Sequence, residues 1–189
     1  KAELCHFDSN TALLRRNPPQ KPKIRMHYTM TNEDTLPSSV ERKILSALQN
    51  NGRMSNVELA QQVGLSESPC FRRVRQLEEN GTISGYSANL DQRKLGLQVT
   101  AFVQVDLDQC SEKETEGFLS AVRNEEHITE CYAMSGDYDY LLKVVSRNID
   151  HFGEISMKRI LKFPGVKNIV SSFNLMEVKN SRILPTITA

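Results

Sequence analysis

The sequence predicts an α+β protein in two units, a helical domain over residues 36–90 and a mixed domain over 98–189, with a linker at 91–97. Three observations carry that expectation. Apolar residues of the first unit recur at helical spacing in three short runs. In the second unit, alternating strand-like runs and helical runs follow the order strand-helix-strand-strand-helix-strand. Asn50-Asn51-Gly52, Asn80-Gly81, Ser135-Gly136-Asp137 and Pro164-Gly165 punctuate these runs as turn signals.

Residues 1–35 show little apolar periodicity, and Asn17-Pro18-Pro19-Gln20-Lys21-Pro22-Lys23 resists helix and sheet alike. Lys1, Arg15, Arg16, Lys21, Lys23 and Arg25 outnumber Glu3 and Asp8 there, so the segment is basic. It reads as a disordered basic tail or an extension preceding a start at Met26 or Met30. An arm touching DNA phosphates is the functional alternative.

The helical unit follows. Val40, Ile44, Leu45 and Leu48 define a first helix, ended by Asn50-Asn51-Gly52. Ser55-Asn56-Val57-Glu58 has the spacing of a capping box. The helix it opens should turn Val57, Leu59, Ala60 and Val63 toward a core and stop at Gly64. Ser66 is expected to cap a third helix over 66–79, with Pro69 in its first turn, where a missing N–H costs little. Cys70, Phe71, Val74 and Leu77 are expected to face inward. Ser68, Arg72, Arg75 and Gln76 then face outward, with Arg73 on the flank. Residues 82–97 read as a hinge, with a strand admitted at 83–90.

In the second unit, residues 101–107 alternate as a strand. Residues 112–123 form a helix with Phe118, Leu119 and Val122 inward. Strands are expected at 128–134 and 138–145, a helix at 149–161 and a last strand at 166–178. This order is that of a ferredoxin-like βαββαβ domain.

Two short helices separated by a glycine-containing turn have helix-turn-helix spacing. Half of the positive charges of this unit, Arg72, Arg73 and Arg75, lie on its third helix. Guanidinium, amide and hydroxyl groups are the ones that contact base edges and phosphates. The pattern points to double-stranded DNA, with Ser55, Ser66, Ser68, Arg72, Arg73, Arg75 and Gln76 as the candidate contacts.

Longer matches now accumulate in one register. They run through Glu41-Arg42-Lys43-Ile44-Leu45, Gln49-Asn50-Asn51-Gly52-Arg53 and Ser55-Asn56-Val57-Glu58-Leu59-Ala60. They continue through Val63-Gly64-Leu65-Ser66, Ser68-Pro69-Cys70, Arg73-Val74-Arg75-Gln76-Leu77-Glu78-Glu79 and Ile83-Ser84-Gly85-Tyr86. In the second unit they include Glu130-Cys131, Ser135-Gly136-Asp137-Tyr138-Asp139-Tyr140-Leu141-Leu142, Phe163-Pro164-Gly165-Val166 and Met176-Glu177-Val178-Lys179. Over residues 36–185 the chain resembles the Lrp/AsnC transcription regulators, nearest the leucine-responsive branch. Two positions depart: Leu36-Pro37-Ser38-Ser39-Val40-Glu41 stands where the family has a Leu-Asp pair, and Arg72 occupies a variable position.

The resemblance implies a sequence-specific transcription regulator responsive to an amino-acid effector such as leucine. It also implies a homodimer and higher assemblies such as octamers. A ligand-independent architectural DNA-binding protein is the alternative. For the turn around Ser135-Gly136-Asp137, residues alone leave several readings. Asp137 and Asp139 share a face if the chain is extended, and paired carboxylates can bind metal or exchange protons. A polar hairpin turn is the plainer reading. The resemblance implies an amino-acid pocket between subunits, with Gly136, Asp137, Tyr138 and Asp139 as candidates and Leu107 added from the end of the first strand.

Composition narrows the rest. Hydrophobic residues at 39% and charged residues at 25% suit a globular chain, and no apolar run is long enough for a membrane span. A net charge of +1 gives no global attraction to nucleic acid, so the local pattern has to carry that reading. Cys5, Cys70, Cys110 and Cys131 lack Cys-x-x-Cys spacing, and Cys5-His6 has no second cluster. No metal site, cofactor or catalytic set is therefore expected, and His6, His27, His127 and His151 are scattered. The chain opens without a signal peptide, so a cytoplasmic, nucleoid-associated protein is expected.

Overall fold

The computed structural model describes residues 36–108 and 111–186. The expectations for the basic segment 1–35, with Cys5 and His6, and for Cys110 lie outside the described residues.

Three helices form the first unit: α1 (Ser39–Asn50), α2 (Asn56–Val63) and α3 (Glu67–Glu79). Ser38 opens α1 with a reciprocal capping box. Its hydroxyl accepts from the Glu41 N–H, and the Glu41 carboxylate accepts from the Ser38 N–H at 2.7 Å. Ser38 thus supplies the helix start where the family's Leu-Asp pair is missing. Ser55 and Glu58 repeat the device at α2. Gly64 then ends α2 at φ +72°. That left-handed conformation costs a glycine little, and the chain turns directly into α3.

Ile44, Ala47, Leu59, Ala60, Val63, Cys70 and Leu77 make the core of this unit, with Val40, Leu45, Leu48, Leu65, Val74 and Ile83 packed around it. Two expected members are outside it. Val57 is 44% exposed and Phe71 56% exposed. Helical geometry explains both. Val57 stands two residues before Leu59, roughly 200° away, and Phe71 sits roughly 100° round from Cys70. Ser66 occupies the N-cap of α3, but its side chain makes no capping hydrogen bond.

After α3 the chain forms no strand over residues 83–90. It is held instead by side chains. The Tyr86 hydroxyl donates to Glu78 at 2.9 Å. Burial and that carboxylate push the Tyr86 pKa up to about 12. The linker is an ordered turn. Asp91 accepts the Arg93 N–H at 2.9 Å, and the Gln92 amide reaches Leu97 O and the Thr100 hydroxyl at 3.0 Å.

The second unit runs β1 (Val99–Leu107), α4 (Glu112–Asn124), β2 (Ile128–Ala133), β3 (Tyr140–Ser146), α5 (Ile149–Lys158) and β4 (Val166–Phe173), with a 3₁₀ turn at Ile160–Lys162. The strands form one antiparallel sheet in the order β2-β3-β1-β4. This is the ferredoxin-like arrangement. Both helices share one face, where Ala101, Val103, Val105, Tyr140, Leu142 and Val144 meet Phe118, Val122, Phe152, Ile155 and Ile160. The Phe118 ring lies 4.8 Å from that of Tyr140.

Several boundaries shift from expectation, and three of the shifts have a clear physical reason. β3 starts at Tyr140 rather than 138, because residues 135–139 bend instead of extending. The helix expected over 149–161 tightens into the 3₁₀ turn after Lys158. β4 ends at Phe173, five residues before 178, since residues past β1's start at Val99 have little ladder left to join.

The C-terminal segment returns to the first unit. Leu184 donates its N–H to the Gln49 side chain at 2.7 Å, and the Gln49 amide donates to Leu184 O at 3.1 Å.

Candidate functional site

Two regions gather the residues singled out by sequence. The first is the outer side of α3. Cys70, at 0% exposure, and Leu77 anchor the helix to the core of the first unit. Ser68, Arg72, Arg75 and Gln76 are all exposed on the other side. Arg75 is held by Glu79, one turn on, at 2.8 Å. Arg73 is drawn another way, toward α1, where it meets Glu41 at 3.6 Å. Arg73 therefore helps to fix α3 against α1 instead of standing with Arg72 and Arg75.

The two serines before the helices also differ. The Ser55 hydroxyl is occupied in its capping box, accepting from Glu58 N–H and donating to the Glu58 carboxylate. The Ser55 backbone N–H, and after it the Ser55 hydroxyl, hold the Glu58 carboxyl below its ordinary pKa. Ser66 is exposed at the entry of α3, beside the point where the Asn56 amide donates to Glu67 O at 3.1 Å.

The second region is the turn between β2 and β3, where the structure joins Leu107 to the turn. The Asp139 carboxylate accepts the Leu107 N–H at 2.9 Å. The Asp139 main chain donates to Val105 O and accepts from Met134 N–H. One residue thus ties the end of β1 to both sides of the β2–β3 turn. Gly136 and Asp137 are exposed at its tip, and Tyr138 is half-buried. The structure separates the paired carboxylates by role: Asp139 braces backbone, while Asp137 is exposed. Because residues 135–139 bend, they do not share a strand face.

The sheet's other face carries Thr100, Phe102, Gln104, Leu141, Lys143, Val145 and Val170, set by the alternation of the strands. Phe102, Tyr132 and Val170 are exposed there. Lys143 and Glu130 pair across it at 2.9 Å, which holds the Glu130 carboxyl below its ordinary range. An open groove between this face, the linker and the C-terminal segment includes Gln92, Phe102, Lys143, Met176 and Arg182, but none of Gly136, Asp137, Tyr138 or Asp139.

Among the described residues, no group of three or more His, Cys, Asp or Glu side chains could hold a metal ion. Cys70 and Cys131 are free thiols, both with pKa pushed up by burial. No helix among those residues is long and apolar enough to cross a membrane.

Sequence reasoning missed the exposure of Phe71 and the bracing role of Asp139. The first was available from the roughly 100° step per residue. The second needed the tertiary fold, because Leu107 and Asp139 meet only when β1 and β3 pair.

A three-helix unit carrying a helix-turn-helix is followed by a separate α+β domain. Family comparisons match both parts. Residues 38–84 match a winged helix-turn-helix DNA-binding family, and residues 100–184 match the Lrp/AsnC ligand-binding domain. The chain is 41% identical over 145 residues to the leucine-responsive regulatory protein of Klebsiella pneumoniae, covering 77% of this chain and 88% of that one. The Escherichia coli K12 counterpart is 40% identical over the same shares. Among solved structures, the L-Met complex of a Neisseria meningitidis transcriptional regulator superposes with TM-score 0.76 at 36% identity, covering 79% and 96% of the two chains. Escherichia coli AsnC gives TM-score 0.73 at 27% identity, covering 80% and 100%. The chain belongs to the Lrp/AsnC family of transcription regulators.

Proposed function

We propose that this regulator reads double-stranded DNA with α3 and adjusts that reading when an amino acid binds its second domain. The observation that carries the first half is the sidedness of α3. Cys70 and Leu77 are buried while Ser68, Arg72, Arg75 and Gln76 stand in solvent. Such a helix can enter a major groove without disturbing its own core. Ser66 borders that face, whereas Ser55 and Arg73 contribute by fixing α2 and α3.

The effector reading rests on the β2–β3 turn. Gly136 and Asp137 offer exposed main chain and a carboxylate, Tyr138 an aromatic wall, and Asp139 holds Leu107 beside them. A carboxylate suits an α-ammonium, and backbone N–H groups suit an α-carboxylate. The leucine-responsive relatives and the methionine complex of the Neisseria protein support an amino-acid ligand.

Geometry also supports assembly of copies of the chain. One α3 covers too few base pairs for useful specificity, and two placed about one duplex turn apart solve that. The outer sheet face, with Phe102, Leu141 and Val170, suits packing against its copy about a two-fold axis. Higher assemblies such as octamers extend the same reading, as does a place in the cytoplasm on the nucleoid.

The test is selection of duplexes from a random pool, with and without leucine or methionine, paired with a thermal-shift panel of amino acids. Enriched sites whose occupancy changes with one amino acid are expected. Equal retention of every duplex, unaffected by any amino acid, would instead establish the architectural alternative.

A further inference from the structure

Phe71 is the one large apolar side chain on α3 left substantially in water, at 56% exposure. Its neighbours on the helix are functional in character. Ser68 precedes it by three residues and Arg75 follows by four, so the three form one stripe. Arg75 turns away to Glu79, toward the C-terminal end of the helix, and leaves the ring uncovered.

Position within the helix matters as well. Ser68, Phe71 and Arg72 are the exposed neutral or basic residues of the first two turns of α3. In a helix-turn-helix, the N-terminal part of the second helix approaches base edges. In the major groove, guanine, adenine and cytosine present donors and acceptors, while thymine alone adds a methyl group. An aromatic ring in that position has one complementary base.

We propose that Phe71 is a specificity residue whose ring packs on the 5-methyl group of a thymine. The protein then requires thymine at one position of each half-site. This inference rests on the DNA-reading role assigned to α3, and its occupant lies on the surface continuous with that face.

The experiment uses the full chain and duplexes that it enriches from a random pool. Each recurrent thymine is replaced singly by deoxyuridine, which removes only the methyl group. The wild type should bind about fourfold more weakly at one symmetry-related pair of positions, the effect of about one buried methyl group. Phe71→Ala should bind thymine and deoxyuridine duplexes equally, and Phe71→Leu should keep most of the discrimination. Thermal transitions of both variants should match the wild type, since the ring is outside the core.

Equal wild-type affinity for every deoxyuridine duplex would overturn the inference while leaving DNA reading intact. So would unchanged discrimination in Phe71→Ala. A shift of Phe71→Ala toward smaller assemblies, without a thymine effect, would assign the ring to a second copy of the chain. Failure of the wild type to enrich any duplex would remove the DNA-reading role and this inference with it.

Discussion

The two domains present their candidate sites in opposite ways. In the helical unit, α3 is anchored by the buried Cys70 and Leu77, and the proposed DNA contacts are side chains projecting from the far side. In the sheet unit, the β2–β3 turn is shaped by main-chain bonds, with Asp139 serving as the brace to Leu107. A face made of side chains can change its target by substitution without moving the backbone. A turn made of main chain can bind a small zwitterion but depends on every bond that holds its shape. DNA reading should therefore be separable from stability, and ligand response should not.

The sharpest way to break that contrast is through the second core. Phe118 is fully buried against Tyr140 and Phe163. Phe118→Ala should cost about 3–5 kcal/mol, read by chemical denaturation, and should abolish ligand response. Asp139→Ala should follow, at about 1.5–3 kcal/mol for a lost charge-assisted bond to main chain. Amino-acid-induced thermal shifts should shrink with it. An Asp139→Ala protein that keeps full stability and full ligand shift would mean that the brace is dispensable.

Arg75→Ala tests the other side of the contrast. Affinity for selected duplexes should fall roughly tenfold, within the about 1–3 kcal/mol of a good base contact, while the melting transition stays put. Loss of the transition would show that Arg75 supports the fold. A smaller effect is expected from Ser55→Ala, about 1 kcal/mol from a lost N-cap, confined to the helical unit.

Acid should act on the same device. The Ser38 and Ser55 bonds hold the folded Glu41 and Glu58 carboxyls below their ordinary pKa. A depressed folded pKa stabilises above the unfolded value and is lost as pH falls through the folded one. Helical signal from the first unit should weaken in that acidic window, and Ser55→Ala should flatten the dependence.

Much of this was legible in the residues. The spacing Ser-x-x-Glu marks the helix start at Ser55, and the structure adds the same reciprocal capping box at Ser38 and Ser111. Gly64 marked the turn of the helix-turn-helix, and the strand and helix order gave the sheet domain. Those signals are local, so a few neighbouring residues suffice. The misreadings came from treating apolar character as burial. Val57 and Phe71 are apolar, yet helical rotation places both outside the core. The strand admitted at 83–90 found no ladder among the described residues, where Tyr86 and Ile83 hold the chain by other contacts.

By itself the sequence determined the elements, their order, the basic stripe on α3 and the membership of the chain in a family of regulators. Periodicity, capping and turn chemistry act over three or four residues, so they survive in the linear text. Only the tertiary structure decided that Arg73 leans to Glu41, that Asp139 holds Leu107, and that Gln49 clasps Leu184. Those are meetings of residues far apart in the chain. They exist because packing brings separate elements within hydrogen-bonding reach, which no spacing rule along the chain encodes.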